Sequence, residues 1–263
     1  MKSRPKPDPE TVQDHFEWAS PDGQPDPVAS ALERLGLSHP DELLPLLQSS
    51  SRKRAADACQ ALGLTRKKAY SGALLALVKG KRRSLWMVAA ASLSMLESKR
   101  VIQPLIQLLL DSARPAKQRE AAAYALAFTW SGLADARYGP PAGDAFVAVL
   151  RNSQETPGLR GQVAEGLAYL YGPCAGAARD RRGRAYRQAG ESLTAALGDP
   201  AAEVRFWCVF ALGSMRYRPA LSVLQGLAQT DEGRFGNWWT VREEAADAIE
   251  RISGRRPPLR MKQ

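Results

Sequence analysis

The sequence predicts an all-α protein, a solenoid of about six helical hairpins, and three observations point there. One window recurs six times along the chain, small residues hold fixed places inside it, and no stretch shows the sustained period-two alternation of a strand. The clearest copy runs from Val204 to Gly213, VRFWCVFALG. Placing Ala55, Trp86, Arg119, Arg160 and Arg242 under Arg205 aligns the other five. Three residues after these anchors stand Ala58, Ala89, Ala122, Val163, Cys208 and Ala245; one residue later stand Cys59, Ala90, Ala123, Ala164, Val209 and Ala246. Offset six holds Ala61, Ser92, Ala125, Gly166, Ala211 and Ala248, and offset seven holds Leu62, Leu93, Leu126, Leu167, Leu212 and Ile249.

Offsets three, four and seven lie on one face of an α-helix. Small residues on that face let a neighbouring helix come close, and the branched residue at seven fills the space between the two. Successive anchors are 31, 33, 41, 45 and 37 residues apart, enough for a helical hairpin with loops of varying length. Each anchor helix therefore needs a companion.

In chain order, residues 1–26 carry Pro5, Pro7, Pro9, Pro21 and Pro25 among polar residues and read as a poorly ordered arm. Its aromatic pair, Phe16 and Trp18, is suited to docking on the body of the protein, the commoner outcome, or on a partner. The solenoid spans 27–254. Companion helices are expected at Asp41 to Gln48, Ala69 to Val78, Val101 to Leu110, Ala142 to Leu150, Ala185 to Leu197 and Pro219 to Ala228. Thr156-Pro157 and Asp199-Pro200 each put a capping oxygen before a proline, which predicts the starts of two anchor helices. Gly254 stops the last helix, and 255–263 leaves as a basic tail.

The windows VRFWCVFALG, QREAAAYALA and VREEAADAIE resemble the second helix of HEAT repeats, particularly the short bacterial HEAT-like kind first associated with phycobilisome lyases. The resemblance covers about residues 40–253. It implies a right-handed α-α solenoid of HEAT-like hairpins whose second helices line a concave side. It also implies that Arg119, Arg160, Arg205 and Arg242 join an inter-repeat polar ladder with acids such as Asp111, Asp199 or Asp231. Ala55 and Trp86 depart from this pattern, so either the first two repeats are degenerate or their register differs from the one given. The fold class serves many functions, so function has to be argued from side chains.

Catalytic chemistry finds little material. Hydroxylases of this fold need His-Glu pairs for iron, but the two histidines, His15 and His39, fall in the arm and in a turn, so no metal site is expected. Cys59 and Cys208 sit in small-residue columns where thiols are inert packing, and Cys174 has no histidine near it in sequence. No phosphate-cradling GxxxxGK[ST] occurs. Asn237-Trp238-Trp239-Thr240-Val241-Arg242 superficially resembles the Trp-Trp-Asp-x-Val-Asp stretch of alkylpurine glycosylases with HEAT-like repeats. Arg242 stands where a carboxylate would be needed, and a cation there opposes the chemistry. No cofactor is expected. A lyase or chaperone-like role toward a chromophore follows only from the family likeness.

Charge is more informative. Residues 51–100 contain 12 Lys and Arg against 2 Asp and Glu, whereas 1–50 contain 4 against 9, in a chain of formal net charge +10. Arg52, Lys53, Arg54, Lys79, Lys81, Arg82 and Arg83 fall at turns leading into two consecutive anchor helices, so they are expected to share one edge as a ridge. Arg66, Lys67 and Lys68 are expected on the opposite edge, together with Arg179, Arg181, Arg182, Arg184 and Arg187. Cations at helix N-termini oppose the helix dipole, a sign that something other than helix stability keeps them.

The expected function is therefore a non-enzymatic protein-protein adaptor that uses its concave face and the basic ridge toward an acidic protein partner. Trp86, Trp130, Trp207, Trp238 and Trp239 are the aromatic candidates for affinity. Sequence-independent nucleic-acid binding by the same cations is the alternative. No apolar run reaches 18 residues and the N-terminus lacks a secretory stretch, so a cytoplasmic protein without membrane contact is expected.

Overall fold

Helices start and stop largely where local chemistry places them in the computed structural model, which describes residues 26–129, 135, 137–172, 183–237 and 239–254. Thirteen α-helices occur among the described residues. They are α1 (Pro27–Leu35), α2 (Leu43–Leu46), α3 (Arg52–Leu64), α4 (Ser71–Lys79), α5 (Trp86–Met95), α6 (Ile102–Leu110) and α7 (Ala116–Ala127). The series continues with α8 (Gly139–Arg151), α9 (Pro157–Tyr171), α10 (Arg184–Ala195), α11 (Ala202–Met215), α12 (Leu221–Thr230) and α13 (Val241–Ile252). The only extended pairing among the described residues is a bridge between Arg234 and Thr240. Residues 1–25 of the arm, the basic tail, Trp130, Cys174, Arg179, Arg181, Arg182 and Trp238 lie outside the described residues.

The chain forms two compact units, one ending at Tyr138 and the other resuming at Gly139. In the first, α2 pairs with α3, α4 with α5 and α6 with α7, while α3, α5 and α7 lie side by side and α1 rests on α3. In the second, α8 pairs with α9, α10 with α11 and α12 with α13, and α9, α11 and α13 lie side by side. The architecture is an all-α solenoid of hairpins, with each anchor window on the second helix of its pair.

Burial follows the columns. Ala58, Cys59, Ala61 and Leu62 are fully buried, and so are Ala89, Ala90 and Leu93, so the first two repeats keep the register despite their unusual anchors. Ala122, Ala123, Ala125, Leu126, Val163, Ala164, Leu167, Cys208, Val209, Ala211 and Leu212 are equally enclosed. Two column residues of α13 depart, Ala246 being exposed and Ile249 half-buried, since α13 is the last of the described helices. The closest approach comes one residue beyond the columns, at offset eight. A Cβ on Gly63 would stand 2.9 Å from Ser92 Cα, and one on Gly213 would stand 2.8 Å from Ala248 Cα. Helix meets helix there at backbone distance.

Local signals explain most boundaries. Thr156 accepts the Leu159 N–H at 3.3 Å with Pro157 in the first helical position, as expected. Thr240 and Glu243 form a reciprocal capping box on α13. Asp199 departs from expectation: α11 is entered through Ala201, and the Asp199 carboxylate accepts the Ala201 N–H at 2.9 Å while pairing with Arg160. The arginine from the preceding repeat is the stronger partner, because a charged hydrogen bond outweighs a neutral cap. The expected helix from Asp41 to Gln48 is a short 3-10 turn, Pro40–Glu42, followed by the four-residue α2. Pro45 has no N–H to give to the carbonyl four residues back. Three second helices end in left-handed backbone on non-glycine residues, Arg66 (φ 52°), Glu97 (φ 49°) and Arg216 (φ 55°), each eleven residues after its anchor.

Candidate binding surfaces

The anchor arginines fasten loops between repeats. Arg160, buried on α9, pairs with Asp199 in the loop before α11 and gives its Nε–H to Glu155 O at 3.2 Å. Arg205 on α11 repeats the pattern one hairpin later: Nε and Nη2 donate to the two Asp231 oxygens at 2.7 and 2.8 Å, and Nη1 donates to Asp199 O at 2.8 Å. The guanidinium holds the Asp231 carboxyl below its ordinary value. Arg242 pairs with Glu232. Arg119 gives its Nε–H to Leu109 O at 2.7 Å, while Asp111 pairs with Arg114 at 3.1 Å. Two of the three expected acids thus serve the ladder, and the third serves a closer arginine in its own turn.

In the first unit, different side chains fasten the loops. Arg82 donates to Leu47 O at 2.7 Å and Ser49 O at 2.9 Å, so the loop before α5 is tied to the loop before α3. Arg82 was expected on the ridge; it is instead half-buried and engaged with carbonyls that the ends of the first hairpin leave without helical partners. Gln118 takes the same role one hairpin on, donating to Val78 O at 2.7 Å and Gly80 O at 3.1 Å.

The other six ridge candidates are exposed. Arg52, Lys53 and Arg54 form the first turn of α3, where Ser51 caps through the Arg54 N–H at 3.4 Å and no acid is present. Lys79 closes α4, and Lys81 and Arg83 follow in the turn held by Arg82. Arg66, Lys67 and Lys68 are exposed in the turn at the other end of α3. Arg184 and Arg187 are exposed on α10, in the second unit.

The aromatic candidates separate. Trp86 is buried, 5% exposed, and donates its Nε1–H to Gly80 O at 2.8 Å; it packs the first unit and offers no ring to a partner. Trp239 is half-buried and donates to Glu244 Oε2 at 2.6 Å, which pins it to its own repeat. Trp207 is half-exposed on α11 and sits in a cluster, edge-on to Phe210 at 5.6 Å and to Phe206 at 5.4 Å. Gly161 makes room for it, since a Cβ there would stand 2.8 Å from the indole.

Trp207 belongs to a row that the repeat columns do not reveal. Offsets two, five and nine turn away from the buried columns, toward the opposite side of each second helix. In the second unit they hold Gln162, Glu165 and Tyr169 on α9, Trp207 and Phe210 on α11, and Glu244, Asp247 and Arg251 on α13. The row is continuous: Tyr169 meets Phe210 at 6.3 Å, and Arg251 lies over the Phe210 ring at 5.6 Å while pairing with Asp247. Glu165 accepts from Tyr169 Oη at 3.2 Å and Gln162 Nε2 at 2.8 Å, yet burial outweighs both donors and pushes its carboxyl up to about 7. The signal was in the alignment, as the columns that vary most.

Two engineered proteins of the Northeast Structural Genomics Consortium share this fold. One is 20% identical, with a TM-score of 0.50 over 83% of this chain and 98% of that one. The other is 19% identical, with a TM-score of 0.53 over 83% of this chain and all of that one, 100%. A designed armadillo repeat protein in complex with peptide (KR)4 aligns at a TM-score of 0.46 and 16% identity, over 82% of this chain and 100% of that one. No family model and no curated protein matches the chain. Hairpins stacked through their second helices make the class a helical repeat solenoid. Among the described residues no helix is long and apolar enough to cross a membrane.

Proposed function

We propose that this chain is a non-enzymatic, HEAT-like binding module that holds a protein partner on the face formed by α9, α11 and α13. One observation carries the reading. Tyr169, Trp207 and Phe210, half-exposed and in contact, stand on helices whose backbones are locked by packing and by the Arg160–Asp199 and Arg205–Asp231 pairs. Rigid aromatics lose little entropy on contact, and truncating such anchors commonly weakens binding by about 2 kcal/mol or more. Gln162, half-buried at one end of the row, supplies a polar rim to that centre, while the buried Arg251–Asp247 pair backs Phe210.

The thiols support the non-enzymatic part. Cys59 is buried and its thiol is pushed up to about 12, and burial raises Cys208 further, so neither is a ready nucleophile. Immobilised protein and a Trp207→Ala/Phe210→Ala variant of unchanged helical content, each incubated with extract of the source cells, test the reading. A captured protein that disappears with the variant supports it, and identical captures by the two proteins refute it.

A further inference from the structure

The first unit carries a second surface. The geometry points to a sequence-independent interface for the phosphate backbone of a nucleic-acid duplex, made by Arg52, Lys53, Arg54, Lys79, Lys81 and Arg83. Several cations elsewhere among the described residues find carboxylates: Lys99 with Asp135 at 3.0 Å, Lys117 with Glu120 at 2.6 Å, Arg114 with Asp111 at 3.1 Å and Arg205 with Asp231 at 2.7 Å. None of the six ridge residues makes such a pair. The local sequence offers them few partners, because Asp57 is the only acid between residues 43 and 96.

Position adds to charge. Arg52, Lys53 and Arg54 occupy the positive end of the α3 dipole, where α13 by contrast places Glu243 and Glu244. Arg82 ties the turn carrying Lys81 and Arg83 to the turn before Arg52 through Leu47 O and Ser49 O, so the two basic groups are held beside each other. Adjacent packed helices such as α3 and α5 lie roughly 8–10 Å apart. Six charges on two adjoining turns meet in a duplex about one phosphate charge per 1.7 Å of axis, or roughly six in 10 Å. An acidic helix of equal length has about seven residues and turns only part of them toward one face. The density of charge thus favours phosphate over carboxylate. Trp86, next to the second turn, is buried and provides no platform for an unpaired base, which favours a duplex over a single strand.

The test is fluorescence anisotropy of the full chain with a labelled 20-base-pair DNA duplex of mixed sequence, titrated across sodium chloride concentration. Binding at about 50 mM salt is expected, with log K falling against log salt at a slope of roughly −4 to −5 for about five neutralised phosphates. Arg52→Glu/Lys53→Glu/Arg54→Glu should weaken binding at least tenfold and flatten the slope by about 3. Arg66→Glu/Lys67→Glu/Lys68→Glu changes net charge equally and should stay within about threefold of the parent. Circular dichroism confirms that both variants are folded. No binding at low salt, equal losses in the two variants, or displacement of the duplex by an equal concentration of polyglutamate overturns the inference, the last in favour of an acidic protein. These readings are independent of the α9–α11–α13 face, which is intact in both variants.

Discussion

Replacing Gly213 by alanine tests whether the second helices meet at backbone distance. Within a helix, alanine exceeds glycine by about 0.8–1.0 kcal/mol, so propensity alone makes the substitution stabilising. The new Cβ, however, would stand 2.8 Å from both Cα and Cβ of Ala248. Carbon atoms prefer about 3.5–4.0 Å, and Ala248 Cα belongs to the α13 backbone, so no rotamer relieves the overlap. The helix itself must withdraw by roughly 1 Å, an overpacking cost of about 1–3 kcal/mol. Gly226, on α12 of the same unit, is the control: it is exposed, and a Cβ there meets nothing within 4 Å. Gly226→Ala should gain the full propensity term. Because that term is common to both variants, their difference isolates the overlap and should be about 1–3 kcal/mol in favour of Gly226→Ala. Urea unfolding followed by far-UV circular dichroism, with equal m-values, measures it. If Gly213→Ala gains as much stability as Gly226→Ala, α11 and α13 do not approach as described and the meaning given to the small-residue columns is wrong.

Glu165 should give stability a distinctive pH dependence. Its folded value of about 7 lies above the ordinary 4.5, so the folded state binds the extra proton and stability falls as pH rises from about 4.5 to 7, by about 3 kcal/mol at most. Glu165→Gln should remove that slope in unfolding curves taken across the range; an unchanged slope would mean the carboxyl is not held in a desolvated site. Asp231 has the opposite sign: its lowered value gives stability that is complete above the ordinary carboxylate range and lost as pH falls through the folded value. Arg205→Ala should lower stability by about 1–3 kcal/mol at neutral pH, with the deficit shrinking in acid, and a deficit constant with pH would sink the ladder interpretation. Arg66→Gly should raise stability by about 1 kcal/mol, read as a higher urea midpoint, because glycine relieves the left-handed backbone at φ 52°.

The hairpins were legible because their signals are local. A helix has 3.6 residues per turn whatever surrounds it, so Ala58, Cys59 and Leu62 could be placed on one buried face from spacing alone. Thr156-Pro157 carried its cap within four residues. Asp199-Pro200 looked the same and behaved differently, because Arg160, 39 residues away, reaches its carboxylate. Trp86 was expected to be a contact residue and Arg82 a ridge cation for the same reason. The carbonyls that engage them, at Gly80, Leu47 and Ser49, are backbone groups with no signature of residue type.

Sequence by itself determined which small-residue columns form the helix seams, how many hairpins form and where positive charge concentrates, since periodicity and charge count need no knowledge of partners. Only the tertiary structure decided which arginine takes which acid, that Gly63 and Gly213 bring helix backbones together, and that Tyr169, Trp207 and Phe210 join into one cluster backed by the buried Arg251. Those choices are made between segments some 30 to 40 residues apart, and they depend on the stacking distance and register of whole helices, which no local window of residues contains.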